Sequence, residues 1–110
     1  MKNTVISEST LDIPVIRVLH LTLKKKWFDM IASGEKRDEY REIKPHWDKR
    51  LNGREYDVVK FRNGYRTDSK AMTVELLNIV TGIGSAQWGA PERQEVYILR
   101  LGKILTPHNE

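Results

Sequence analysis

The chain reads as one mainly β domain with short helices (α+β). It is expected to be a small β-barrel of about five to six strands with one or two covering helices. Three observations predict this. Its 110 residues suffice for a single modest core. Five segments rich in β-branched, leucine or aromatic residues recur between turn signals. Helical features are confined to two short stretches, 24–33 and 44–51.

Residues 1–14 are polar, end at Pro14 and are expected to form a loose tail ahead of a domain spanning 15–104. Val15 to Leu23 has the composition of a first strand. A helix follows over 24–33, with Trp27, Phe28 and Ile31 on one side and Gly34 as its stop. Lys24, Lys25 and Lys26 oppose the helix dipole at its start, so local physics does not account for them. Lys36 to Ile43 reads as a second strand. Pro45 suits the first turn of a short helix or 3₁₀ turn over 44–51, and Asn52-Gly53 ends it.

Tyr56 to Arg62 reads as a third strand with Val59 and Phe61 inward and Lys60 and Arg62 outward, closed by Asn63-Gly64. Ala71 to Val80 is the fourth, with Val74, Leu76 and Val80 expected on one face. Thr81 to Ser85 should turn the chain away, and 86–91 should form a loop carrying Trp88. Glu95 to Leu101 is the last strand, before a tail at 105–110.

The segment after Gly34 concentrates the chemistry. In a strand Glu39 and Arg41 share a face, while Lys36 sits at the turn and can swing to either side. Two cations and one carboxylate at a helix–strand junction suit a small polar or anionic ligand. The spacing Gly34-x-Lys36-x-x-Glu39-x-Arg41 is similar to the signature of the ASCH superfamily, and strand, helix, motif and later strands follow in the same order over residues 17–104. The resemblance implies a PUA-like β-barrel with a cleft beside the motif, binding RNA or a nucleotide-like ligand.

Some small members of that superfamily deacylate modified nucleosides such as N4-acetylcytidine. By that resemblance Lys36 and Glu39 would be the catalytic residues of an amidohydrolase. Those enzymes, however, carry threonine where this chain has Glu39, and a further glutamate on a later helix. Only Glu75, Glu92 and Glu95 stand in the corresponding region here, none in a predicted helix.

Charge points the same way as the motif. The net charge is +4, and residues 24–66 hold thirteen Lys/Arg against eight Asp/Glu. A basic half favours an anionic partner through long-range attraction. The aromatic residues Trp47 and Tyr65 stand among basic neighbours, as stacking residues do in binders of unpaired bases.

The ligand-binding set expected from sequence is therefore Lys36, Glu39, Arg41, Trp47, Arg62 and Tyr65. Tyr40, by alternation, is expected in the core, and His20 in the barrel interior or a local pair. No metal spacing joins His20, His46 and His108, and no cofactor motif is present. No apolar run approaches a membrane span, the first residues lack the apolar region of a signal peptide, and there are no cysteines. A cytoplasmic protein is the expectation.

Overall fold

A computed structural model describes residues 15–65 and 68–106; the expected tail at 1–14, together with Arg66, Thr67 and residues 107–110, lies outside them. Among the described residues, five strands and two short helices follow in the order β1 (Val18–Leu23), α1 (Lys25–Ser33), β2 (Asp38–Glu42), α2 (Pro45–Leu51), β3 (Val58–Asn63), β4 (Ala71–Ile83) and β5 (Glu95–Thr106), with a 3₁₀ turn at Ala86–Trp88 between the last two. The mainly β expectation holds at that level.

The strands form one sheet in the order β1-β3-β4-β5-β2. Only β1 and β3 run parallel; the other neighbours are antiparallel. The sheet curls into a half-barrel. The core inside it is built from alternate residues: Leu19, Leu21 and Leu23 of β1, Val59 and Phe61 of β3, Met72, Val74 and Leu76 of β4, and Leu99 and Leu101 of β5. Phe28 and Ile31 from α1 and Leu51 from α2 join it.

Curling brings the two outer strands of the sheet, β1 and β2, to a seam. Arg41 on β2 crosses it, its Nη2 donating to the Thr22 carbonyl of β1 at 3.2 Å. The helices follow the local expectations. Gly34 takes a left-handed φ of 89°, and its N–H donates to the Ile31 carbonyl. The Lys36 N–H then donates to Met30, tying the motif's lysine to the helix end. Pro45 occupies the first turn of α2.

Several boundaries differ from the sequence reading. Residues 15–17 precede β1, and Lys36, Arg37 and Ile43 lie outside β2. His20 is exposed, because the inward positions of β1 are Leu19, Leu21 and Leu23. Val80 does not share the face of Val74 and Leu76. Register shifts against β5 between Thr73 and Asn78 reverse the alternation, so Ile79 packs on the core and Val80 is 36% exposed. Thr81-Gly82-Ile83 remains strand, paired with Tyr97, Val96 and Glu95, and Leu105 and Thr106 complete β5 instead of starting a tail.

Close packing at the end of β4 leaves no room for a side chain at Gly84. A Cβ there would meet Ala90 and the Tyr40 ring at 2.6 Å. Gly84→Ala is expected to lower stability by about 1–3 kcal/mol, the usual cost of overpacking. Urea denaturation measures it, and an unchanged midpoint would contradict the packing.

Candidate functional site

A cleft of about 520 Å³ opens along the seam, and its residues come from every part of the chain that meets there. Thr22 and Leu23 come from β1, Trp27 from α1, Glu39 to Glu42 from β2 and Trp47 from α2, while Gly64 and Tyr65 follow β3 and Trp88 and Gly89 lie in the β4–β5 connection. Of the six residues expected from sequence, five line this cleft: Lys36, Glu39, Arg41, Trp47 and Tyr65. Arg62 does not. It stands opposite Thr22 and Ala71 in the sheet, on the outward side that alternation gave it.

The floor is a buried relay of charge. Glu39 stands between the two cations: its Oε1 is 3.4 Å from Lys36 Nζ, and its Oε2 accepts from Arg41 Nη2 at 2.8 Å. Lys36 is 2% exposed and Glu39 7% exposed. Burial costs a charged group its hydration, so such residues persist only when paired and hydrogen-bonded. Lys36 meets both conditions. Nζ also donates to the Trp88 carbonyl at 2.6 Å and lies over the rings of Tyr40 and Trp27, 4.6 and 5.2 Å from their centroids. The Arg41 guanidinium lies 4.8 Å from the Trp47 ring centroid, and its Nε is buried without a protein acceptor.

Desolvation by burial outweighs the attraction of Glu39 and lowers the Lys36 pKa below the ordinary lysine value. The sign follows by linkage. Between the lowered pKa and the ordinary one, the unfolded chain binds more protons than the folded chain, so this lysine makes stability rise with pH there. Its charge is a cost at lower pH that is relieved as pH climbs through the folded pKa. Lys36→Met is expected to remove that rise. The stability difference between wild type and variant, followed by urea denaturation from neutral to alkaline pH, measures it; a difference flat in pH contradicts the assignment.

Sequence reasoning missed several cleft residues. Tyr40 is half-buried in the cleft, not in the core, and its Oη accepts from the Ser85 N–H at 3.3 Å. β2 is an outer strand, so side chains of both its faces can turn toward the open seam. Trp27 packs against the core cluster with Phe28 and Ile31 as expected, but it is half-buried and also lines the cleft, with Lys26 Nζ 4.6 Å over its ring. The signal was present: Trp27 and Phe28 are adjacent in sequence, and adjacent helical residues point about 100° apart. Trp88, expected only as a loop residue, meets the cleft where its carbonyl accepts from Lys36 Nζ, a contact 52 residues apart that no local pattern reveals.

The three lysines at the start of α1 have separate surroundings: Lys24 lines the cleft, Lys25 pairs with Asp29 at 2.6 Å, and Lys26 covers Trp27. Glu75, Glu92 and Glu95 do not line the cleft; among the described residues the carboxylate there besides Glu39 is Glu42, which pairs with Lys44 at 3.1 Å. Among the described residues no group of acidic or histidine side chains could hold a metal ion, and no helix is long and apolar enough to cross a membrane. No family model, curated protein or solved structure matches the chain.

Proposed function

We propose that the cleft binds RNA or a nucleotide-like ligand, and that the chain is an ASCH-like binding module on a PUA-like barrel. The observation that carries this reading is the combination in one cleft of five aromatic side chains with a floor holding a carboxylate between two cations. Aromatic faces stack on any base. The floor offers both hydrogen-bond acceptors and donors, which a base edge requires. The motif Gly34-x-Lys36-x-x-Glu39-x-Arg41 supports the family reading, and the basic half of the chain supports an anionic partner.

A second reading, deacylation of a modified nucleoside such as N4-acetylcytidine, is favoured by one observation. Lys36 is buried with a lowered pKa against Glu39, as a lysine base would be. Against it, the further glutamate of the family's deacylases has no counterpart beyond Glu42 among the described residues of the cleft.

Titration with short single-stranded RNA and a panel of nucleosides, following binding and acid release together, tests both. Binding without turnover is expected. Tyr65 is 90% exposed, so Tyr65→Ala should leave the fold intact while weakening RNA binding by about 1–3 kcal/mol, the value of one stacked base. Acid release lost in Lys36→Ala would replace the binding module by the hydrolase. Absence of binding to every ligand would remove both.

A further inference from the structure

A second, smaller depression of about 230 Å³ adjoins the cleft. Thr22, Arg41, Trp47 and Tyr65 line both, so the two meet along the seam. Beyond that boundary the groove adds His20, His46 and Arg50. Its chemistry differs from the cleft's. The cleft contains Glu39 and Glu42, whereas the described residues lining the groove include two arginines, two histidines and no carboxylate.

The cations on the cleft floor are already engaged. Lys36 Nζ faces the Trp88 carbonyl, Glu39 and two aromatic rings, and Arg41 Nη2 donates to both Glu39 and Thr22. A phosphate placed on that floor would also meet the Glu39 carboxylate. The groove presents no such repulsion. Its arginine is held in place: Arg50 Nη2 donates to the His20 carbonyl at 2.7 Å, and the guanidinium lies 5.3 Å from the Trp47 ring centroid. The His46 ring meets the same tryptophan edge-on at 4.6 Å. Guanidinium and imidazole N–H groups around one tryptophan form a donor-rich surface suited to phosphate oxygens.

We propose that this groove is a phosphate subsite, which takes the phosphodiester attached to a base seated in the cleft. The minimal ligand is then a base with its phosphodiester, as in a strand of RNA, and not a free nucleoside. The proposal rests on the reading of the cleft as a base site and assigns the phosphate to Arg50, His20 and His46 instead of Lys36.

The test compares three probes for each of the four bases: the nucleoside, the dinucleoside monophosphate, and the dinucleoside joined by an uncharged methylphosphonate. Calorimetry is run on wild type, on Arg50→Gln and on the double variant His20→Ala/His46→Ala, whose histidines are exposed and whose folding is checked by circular dichroism. The dinucleoside monophosphate is expected to bind about 10-fold more tightly than its nucleoside, the worth of one charge-assisted contact. That gain should shrink with added salt, vanish in the methylphosphonate and be lost in both variants, with nucleoside affinity unchanged.

A nucleoside that binds as tightly as its dinucleoside monophosphate, or a methylphosphonate that keeps the gain, would overturn the groove and leave the cleft standing. A failure of every probe, nucleosides included, would overturn the cleft reading and the subsite with it.

Discussion

Glu39→Ala is expected to lower folding stability by about 3–5 kcal/mol at neutral pH, because it leaves a buried lysine without its counter-ion. Glu39 is the only carboxylate within salt-bridge distance of Lys36 and of Arg41 among the described residues. Its removal strands two cations, one of which is almost wholly withdrawn from water. Glu39→Gln should cost less, since an amide oxygen still accepts from Arg41 and the shape is kept. The double variant Lys36→Met/Glu39→Ala should recover part of the loss, because the unpaired charge has gone. The coupling between the two sites is read from a double-mutant cycle in urea. A loss below about 1 kcal/mol in Glu39→Ala would mean that the pair is solvated, as exposed ion pairs are.

Phe61→Ala should match that loss from a different cause. Phe61 is fully buried in β3, between β1 and β4, and packs in the cluster that includes Phe28 and Ile31 of α1. Truncating a buried phenylalanine removes apolar contact and leaves a cavity, at about 3–5 kcal/mol. For a small domain that is a large share of a total of about 5–15 kcal/mol. Thermal unfolding should show a fall in Tm well beyond 10 °C, at about 4–8 °C for each kcal/mol. Tyr65, four residues later and on the surface, is the control: Tyr65→Ala should shift stability by no more than about 0.5 kcal/mol. Equal losses in the two variants would refute the burial assigned to each.

The legible part of this molecule was the local part. Gly34 as a helix stop, Pro45 as a helix start and the inward alternation of Val59 and Phe61 all follow from the chemistry of single residues or from a period of two. The gathering of Lys36, Glu39 and Arg41 was legible because the three lie within six residues. Long-range pairing was not. Gly82 carries a turn signal, yet Val96 opposite it keeps the chain in strand; the partner strand overrode local preference. Val80 was misplaced because register shifts in β4 break the alternation on which the expectation rested. Tyr40 and Trp88 reach the cleft because the sheet curls and the β4–β5 connection meets the seam, neither of which leaves a periodic trace.

The arginines at the seam have a consequence for self-association. The carbonyls of Arg17 and Leu23 accept from the β3 side, from Asp57 and Gly64, so by alternation those of His20 and Thr22 face outward from β1. Both are taken, by Arg50 Nη2 and Arg41 Nη2 respectively. An uncovered row of acceptors on an outer strand is a template on which another chain can add a strand, the first step toward aggregates. Two side chains that shape a ligand site thus also cover part of the border of the sheet, and a substitution chosen to weaken binding would at the same time widen the surface on which the protein could polymerise.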